Sequence, residues 1–284
     1  MHLFRIRIRP LMIEFADVET TFAYCLKHGL LGVGWSTQSN NNTKDWDTYF
    51  SEASTKYDNL QVCAYIHDRV REGDLVWTRD PQRQYYLARV NSGWEYWTTE
   101  EADVHDIDIA NVFRCTIKAV EPTLVPGKVV ACFRATWPIM QPIHEIADPK
   151  AREYSKLLWN RLTREPVYEI DASVCSDVFM LLDAEETENL VSLYLQHKGW
   201  RVVPNACKAD TMRFAYSAID PKTGQVALTQ VKTAGTALNR DDYREDRNRI
   251  FLFQSNGLYH GADAGNVTCF SREELLEFLH SAQT

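Results

Sequence analysis

The side chains best suited to chemistry lie in the C-terminal third of the chain, on a segment whose pattern is typical of a β-hairpin. Two runs of alternating polarity flank the turn sequence Asp-Pro-Lys-Thr-Gly. Side chains two residues apart on a strand share a face, so Gln230 and Lys232 project together. A regular hairpin centred on the turn sets Met212 opposite Lys232, and Asp210 then lies diagonally from Lys232 on the same face, about 7 to 8 Å away. The pattern therefore predicts a carboxylate, an amide and an ammonium group in one place.

Two other carboxylates lie near this hairpin in the sequence. Asp220 is in the turn itself, roughly 20 Å along the strand from Gln230, and cannot share a site with it. Glu188 comes from the preceding helix, where it shares a face with Val191 and Leu195. It borders the buried stripe of that helix, so we expect it to face the sheet.

The elements that position these residues are those of an α/β domain. A helix at 184–198 comes first, and a final helix begins with the capping box of Ser271 and Glu274. The predicted strands cover 200–203, 212–219, 225–233, 250–254 and 266–270. A helix, a mixed sheet and a closing helix are enough for a separate domain, which we place at 184–284.

This order of elements resembles the PD-(D/E)xK nuclease superfamily, and within it the Mrr-like restriction endonucleases. Their third motif, Q-x-K, matches Gln230, Val231 and Lys232. The resemblance implies that Asp210 and Gln230 bind Mg²⁺ and that Lys232 orients or activates the attacking water. Glu188 matches the helix glutamate of the family. Phosphodiester hydrolysis needs an oxygen-ligated cation, which offsets charge on the phosphate, and a positioned nucleophile.

The hairpin departs from the family's pattern at one position. The family's aspartate usually stands directly opposite the glutamine, and a regular register sets Phe214 there. Asp210 then fits only through a bulge or a diagonal approach. Enzymes of this superfamily commonly cut both strands as dimers, so the resemblance also implies a homodimer.

The first half of the chain has the pattern of many short strands with a few helices. Asp17 is the predicted N-cap of a helix that ends at His28, and Gly29 follows it as the C-terminal stop. Many short strands favour a small barrel or a strongly curved sheet. Aromatic side chains, which line pockets as well as cores, are frequent here. They are Trp35, Trp46, Tyr49, Trp77, Tyr85, Tyr86, Trp94, Tyr96, Trp97, Phe113 and Trp137.

The order of elements in residues 1–145 is similar to that of PUA-like domains of the EVE type. The segments that carry the likeness are 29–35, 73–78, 85–90 and 125–130. Such domains bind modified bases in RNA or DNA, and in prokaryotes they are often fused to restriction-type nucleases. The resemblance implies a pocket that reads a flipped base by stacking and by hydrogen bonds to its edge. We expect Trp35, Thr78 and Trp94 to line it, with Ser36 as a polar contact.

Three arginines near the N-terminus suit contact with a nucleic-acid backbone. Arg5, Arg7 and Arg9 alternate with other residues on one strand, so they share a face at intervals of about 6.8 Å. This spacing suits a run of phosphates and equally a solvated strand face.

Composition limits the classes of function. The 284 residues are 45% hydrophobic, so a sizeable core is expected. The net charge of −8 opposes nucleic-acid binding in general, and any such site must be a local patch. Seven cysteines without a C-x-x-C pair predict neither a zinc site nor a disulfide framework. No apolar run suits a membrane helix or a signal peptide, so we expect a cytoplasmic protein that contacts no membrane.

These patterns predict an α+β protein: an N-terminal PUA-like β-barrel reader at 1–147, a connector at 148–183, and a C-terminal restriction-endonuclease-like α/β domain at 184–284 with a mixed sheet. The first hypothesis is a modification-dependent DNA endonuclease of a prokaryotic defence system with Mg²⁺ as cofactor. One alternative is a non-catalytic protein with a degenerate nuclease fold that binds nucleic acid or a nucleotide signal, which Phe214 and the net charge favour. Another is an RNA-directed PUA-like protein. A small-molecule enzyme is disfavoured, because the sequence has no phosphate-cradling glycine loop, nucleophile elbow or metal-spaced histidine cluster.

Overall fold

The computed structural model describes residues 1–8, 17–37, 44–134, 141–171, 173, 178–204, 214–233 and 235–281. The chain divides into two compact units, Met1–Ser176 and Asp177–Thr284. Each unit combines helices with a mixed sheet, so the predicted α+β class is confirmed. Within the described ranges, no helix is both long enough and apolar enough to cross a bilayer.

The described part of the first unit has six strands and six α-helices. The strands are β1 (Leu3–Ile6), β2 (Leu30–Val33), β3 (Leu75–Arg79), β4 (Tyr85–Tyr96), β5 (Asn111–Val120) and β6 (Ile143–Glu145). The helices are α1 (Val18–His28), α2 (Trp46–Lys56), α3 (Gln61–Arg69), α4 (Glu100–Val104), α5 (Gly127–Arg134) and α6 (Pro149–Thr163). A 3₁₀ helix covers Pro122–Leu124.

The strands of the first unit form one sheet in the order β2-β5-β4-β3-β1-β6. β1 and β3 are parallel, and the other neighbours are antiparallel. Across the described residues β2 and β6 remain the two edges of this sheet, so the predicted closed barrel is not found. The physical reason is that each face has its own core. Val76 faces a core that includes residues of α1, α2 and α3, and Trp77 faces one that includes residues of α5 and α6.

The segment predicted as a connector, 148–183, is in large part a component of the first unit. In α6, Leu158 and Trp159 are buried in the core beneath Trp77. The indole Nε1 of Trp77 donates a hydrogen bond to Ser155 Oγ at 3.0 Å. The polar composition of α6 suggested a solvated connector, but one face of this helix covers the sheet, so the connector assignment is corrected.

The local signals of the first helix and strand are visible in the structure. Asp17 caps α1 by accepting from the backbone N–H groups of Glu19 and Thr20, and Gly29 ends it in the left-handed region at φ 62°, as predicted. Gly32 in β2 lies against β5, where a Cβ atom would be 2.3 Å from the Asn111 carbonyl oxygen. This close approach brings the chain that follows β2 onto the start of β5.

The described part of the second unit has seven strands and two α-helices. The strands are β7 (Arg201–Pro204), β8 (Tyr216–Ile219), β9 (Val226–Lys232), β10 (Leu238–Asn239), β11 (Arg249–Gln254), β12 (Tyr259–His260) and β13 (Val267–Cys269). The helices are α7 (Ala184–His197) and α8 (Arg272–Ser281), and 3₁₀ helices cover Val178–Met180 and Arg240–Tyr243.

Five strands of the second unit form a sheet in the order β13-β11-β9-β8-β7, and β10 pairs separately with β12. β9, β11 and β13 are parallel, so their carboxyl ends lie at the same edge. Residues of α7 and α8 pack with Ala227 and Val231 in one core, whereas Leu228 belongs to a second core with Leu238 and Tyr243. The helices therefore cover one face of the sheet.

The hairpin register differs by one residue from the symmetric one expected. Tyr216 pairs with Thr229 and Ile219 with Val226. The turn is longer than assumed, because the Asp220 N–H donates to the Gln225 carbonyl at 2.9 Å and Gly224 adopts φ 72°. Continued by one residue, this register sets Ala215 rather than Phe214 opposite Gln230, which corrects the expectation about Phe214.

Candidate functional site

The end of β9 brings a lysine to the carboxyl edge of the second sheet. Lys232 is the last residue of β9 and lies beside Gln254 at the end of the parallel strand β11. The Ser255 N–H donates to the Lys232 carbonyl at 3.0 Å, which ties the two strand ends together. Ligands of open α/β sheets bind outside the carboxyl ends of the strands, so this edge is the candidate site of the second unit.

The Glu188 carboxyl group of α7 is half-buried, and the charge of Lys232 acts on it. Burial raises the pKa of Glu188, and the positive charge of Lys232 opposes that rise. The Tyr216 hydroxyl donates to the Glu188 backbone carbonyl at 3.4 Å, and burial raises the pKa of Tyr216 as well. The Tyr216 phenol thus contacts the backbone of α7 at Glu188, and the charge of Lys232 acts on the side chain of the same residue.

Glu188 gives a stability prediction whose size depends on pH. Because its pKa is raised in the folded state, folding is penalised when pH rises through that pKa and the buried group ionises. We expect Glu188→Gln to stabilise the protein at pH 7 by about 0.5 kcal/mol, a small gain because solvent screens a half-exposed charge. Below the ordinary carboxyl pKa the gain disappears. Urea unfolding of the full chain at both pH values measures it.

The matched control for this prediction is Glu277→Gln, which neutralises an exposed carboxylate on the other helix of the unit. Because this side chain is exposed, any small change in stability is the same at both pH values, whereas the gain of Glu188→Gln appears only at pH 7. A Glu188→Gln variant that is less stable at pH 7 would show that the Glu188 charge is stabilised by its partners more than burial penalises it.

Gln230 lies beside Lys232 in the sequence but on the buried part of the strand. It is 7% exposed and pairs with Leu252, on the face away from α7. None of the hydrogen bonds found among the described residues involves its side chain, so its amide oxygen is open to a hydrogen-bond donor or a metal ion. Alternation along β9 sets Lys232 on the same face as Gln230, away from α7, and the charge of Lys232 acts on Glu188 from the end of the strand.

The predicted metal ligands are Asp210 and Gln230. Asp210 lies outside the described residues. In the ranges that are described, no group of three histidine, cysteine or acidic side chains is placed to bind a metal. The amide oxygen of Gln230 and the carboxylate of Glu188 are hard oxygen donors of the kind that Mg²⁺ prefers.

Arg272 is a candidate residue that the sequence analysis missed. It begins α8, and its Nη1 donates to the Ser255 carbonyl next to the end of β9. The guanidinium carbon lies 5.0 Å from the ring centroid of Phe179, which holds the side chain by a cation–π contact. The capping box just before it predicted the helix start, but nothing in the local sequence indicated that this start meets β11.

In the first unit, Asn111 connects the residues predicted to read a base. Its Nδ2 donates to the Gly34 carbonyl at 2.7 Å and to the Tyr49 hydroxyl at 2.8 Å, and its Oδ1 accepts from Trp94 Nε1 at 3.0 Å. Asn111 is 0% exposed. The Tyr49 hydroxyl also donates to the Trp35 carbonyl at 3.0 Å. Trp35 and Trp94 thus belong to one hydrogen-bonded cluster.

Aromatic rings surround this cluster. Trp46 stacks on His67 with ring centroids 4.2 Å apart and an interplanar angle of 11°. The edge of Trp94 meets Trp46 at 5.1 Å, and Tyr49 lies 5.5 Å from Trp94. A β-bulge between Val90 and Trp94 interrupts the pairing of β4 with β5 just before Trp94. We call Trp46, Tyr49, His67, Trp94 and Tyr96, together with Asn111, the aromatic cluster.

The backbone of Trp35 is strained. Its φ of 65° is in the left-handed region, which costs a bulky residue about 1 kcal/mol or more. Two hydrogen bonds hold the backbone of the next residue, Ser36. Its carbonyl oxygen accepts from the Tyr57 hydroxyl at 2.7 Å and from Lys56 Nζ at 2.9 Å. Strained residues held by surrounding hydrogen bonds are frequent at binding sites.

A buried cation lies beside the same segment, and the sequence analysis did not identify it. The side chain of Lys44 is 2% exposed, and its Nζ donates to Thr37 Oγ1 and pairs with Glu52. Nζ also lies 4.8 Å from the ring centroid of Tyr96. Hydrogen bonds from Lys44 and from Thr37 to the Glu52 carboxyl group lower the pKa of Glu52. The cluster thus has a charged, hydrogen-bonding edge.

Thr78 is not part of this cluster. It is buried on β3 opposite Tyr86, and Tyr86 pairs with Ala119, whereas Trp94 pairs with Phe113. Six residues along β5 separate the two places by about 20 Å. The expectation that Thr78 and Trp94 line one pocket is therefore corrected.

Of the three predicted phosphate contacts, Arg5 is excluded by burial. It is 0% exposed, and its Nη1 donates to the Gln141 carbonyl at 3.0 Å. Desolvation lowers the pKa of this guanidinium. The shared strand face was expected to be open, but the core containing residues of α5 and α6 lies on it. Arg7 is partly exposed, and Arg9 lies outside the described residues.

The described residues thus form two clusters, one in each unit. The first surrounds Asn111 with aromatic rings and a buried lysine, and the second consists of Gln230 and Lys232 at the carboxyl end of β9, with Glu188 of α7 under the charge of Lys232. Family models, curated proteins and solved structures were compared with the chain, and none of them matches it.

Proposed function

We propose that the chain is a modification-dependent DNA endonuclease, in which the first unit reads a flipped modified base and the second hydrolyses a phosphodiester bond. The observation that carries this proposal is the position of Lys232 at the carboxyl edge of the second sheet, where its positive charge acts on Glu188 of α7. A prokaryotic defence system is the setting in which a base reader and a nuclease act on the same DNA.

In the second unit the charges suit a phosphodiester. Lys232 places an ammonium group where it orients the attacking water and offsets negative charge in the transition state. Arg272 supplies a second cation at the same edge. Asp210 and Gln230 would hold Mg²⁺, which would supply a Lewis acid for the phosphoryl oxygen. The raised pKa of Glu188 suits a group that exchanges a proton with the reaction.

In the first unit the aromatic cluster has the composition that reading a base requires. The partly exposed rings of Trp46 and Trp94 offer stacking surfaces, and Thr37 and Lys44 offer a hydrogen-bonding edge. A flipped base is recognised by these two kinds of contact. Trp35 packs against the same core and is linked to the cluster through its backbone carbonyl, which accepts from the Tyr49 hydroxyl.

The reader is tested by Trp35→Gly, which removes the ring while glycine accepts the left-handed backbone. We expect the original chain to prefer one member of a DNA panel, plain, methylated, hydroxymethylated or glucosylated, and the variant to bind all four within about threefold of one another. Binding by the full chain without Mg²⁺ is the measurement. The matched control is Arg164→Gly at φ 60°, which keeps the preference.

The same panel with Mg²⁺ tests the nuclease. Cleavage of the preferred substrate supports the proposal, whereas binding of that substrate without cleavage shows a degenerate nuclease fold. Tighter binding of an RNA of the same sequence than of any DNA contradicts the DNA assignment. Cutting of both strands is expected to require a homodimer, so the rate should rise more steeply than linearly with protein concentration.

A further inference from the structure

A cleft lined by arginines lies in the first unit, at the end of β3 and the start of β4. Its volume is about 260 Å³, less than that of pockets for drug-sized ligands, so it suits a small group. The lining side chains that matter here are Arg7, Arg79, Asp80 and Arg83, with Phe22 and Phe133.

Two of these arginines are already oriented. Arg79 Nη1 donates to the Tyr85 hydroxyl at 3.2 Å, and its guanidinium carbon lies 5.3 Å from the ring centroid of Phe133. Arg7 Nη2 donates to the Phe133 carbonyl. A guanidinium held in place before binding loses less conformational entropy when a ligand arrives.

The charge of the cleft favours an anion. Asp80 is the acidic residue among the lining side chains, and its two oxygens accept from the Gln84 N–H at 2.7 Å and from the Tyr86 hydroxyl at 3.2 Å. In the part of the chain that the structure describes, neither Arg79 nor Arg83 forms an ion pair with a carboxylate. The Arg79 and Arg83 guanidinium groups therefore face one lining carboxylate, Asp80.

Arg83 adds an independent observation. It has φ 71° in the turn that joins β3 to β4, where the Arg83 N–H donates to the Asp80 carbonyl at 3.1 Å. Glycine or asparagine adopts this backbone with less strain than arginine does. The turn thus keeps an arginine at the mouth of the cleft in a strained conformation, as is common where a side chain contacts a ligand.

We propose that this cleft binds a phosphate group of the nucleic-acid strand that the first unit reads. Guanidinium forks match pairs of phosphate oxygens. The cleft lies about 20 Å along the sheet from the aromatic cluster, or about six nucleotides of a duplex strand. It therefore fixes the strand at a distance from the flipped base. The inference rests on the proposed function for the source of the phosphate.

The experiment measures binding of a labelled DNA duplex by the full chain at several salt concentrations without Mg²⁺. Arg83→Gly and, separately, Arg79→Gln each reduce the slope of log K against log salt by about 1, because one phosphate contact is lost. Arg164→Gly removes the same charge from the same backbone conformation elsewhere in the unit and leaves the slope unchanged. Arg83→Gly also relieves backbone strain, so a weaker complex cannot be attributed to unfolding.

A second arm titrates inorganic phosphate and follows thermal stability of the same proteins. A smaller salt slope in both variants assigns the phosphate to nucleic acid. If inorganic phosphate stabilises the original chain but neither variant, and the salt slope of both variants is unchanged, the cleft binds the phosphate of a small ligand rather than of a nucleic acid. Unchanged behaviour of both variants in both arms overturns the proposal. If the original chain binds no nucleic acid, the proposed function fails. The phosphate arm then still shows whether the cleft binds a phosphate group.

Discussion

We expect Lys232→Ala to lower the rate of the proposed DNA cleavage by about 10²- to 10³-fold and to leave DNA affinity within about twofold. The reason is that Lys232 stands at the carboxyl edge of the second sheet, where an ammonium group would stabilise charge that develops in the transition state. A single cation at an exposed strand end contributes little to the affinity for a long polyanion. Single-turnover cleavage with protein in excess measures the chemical step, and binding is measured without Mg²⁺.

The control for this variant is Lys198→Ala, which removes an exposed lysine that follows α7 in the same unit. Its cleavage rate stays within about twofold of the original. An unchanged rate in Lys232→Ala would move the chemistry away from this edge. Loss of affinity together with rate would make Lys232 a DNA-positioning residue instead.

Lys232→Ala also changes the pH profile. The lysine lowers the pKa of Glu188 against the effect of burial, so its removal raises that pKa further. If ionised Glu188 is needed for cleavage, the acidic limb of the residual activity moves to higher pH in the variant. A limb that stays in place would show that Glu188 does not titrate in the reaction.

Features set by neighbouring residues could be predicted from the sequence. The caps of α1 at Asp17 and Gly29 depend on a few adjacent residues, and so does the strand that contains Gln230 and Lys232. Periodicity shows which side chains share a strand face, but it does not show what covers that face. For this reason Arg5 was expected at the surface with Arg7 and is buried.

Features that depend on long-range pairing were missed. A hairpin register depends on the length of its turn, and the conformation of Gly224 shifted it by one residue. Thr78 and Trp94 are both of residue types that contact bases. Thr78, however, lies on β3 opposite the start of β4, whereas Trp94 lies near the end of β4. Arg272 reaches the candidate site because α8 begins beside the residue that follows β11. Contacts between residues far apart in the chain depend on how the strands and helices are arranged, and local sequence patterns do not show that arrangement.

Asn111→Ala destabilises the first unit by about 2 to 4 kcal/mol, a large effect for removal of one polar side chain. Asn111 is buried and makes three hydrogen bonds, so the change leaves the Gly34 carbonyl and the Trp94 indole N–H without their partner and removes a donor to Tyr49. A buried polar group that loses its partner costs about 1 to 3 kcal/mol. Seven of the eight tryptophans lie in the first unit, so fluorescence during urea unfolding follows it.

The matched control is Asn91→Ala, which removes an exposed asparagine that makes a single hydrogen bond to Thr116 at 3.0 Å. Its effect stays within about 0.5 kcal/mol. If Asn111→Ala costs less than about 1 kcal/mol, water replaces its contacts and the aromatic cluster is open to solvent. Because Asn111 joins the chain after β2 to the Trp94 ring, a large cost accompanied by loss of base discrimination would show that one buried amide both stabilises the unit and positions its reader.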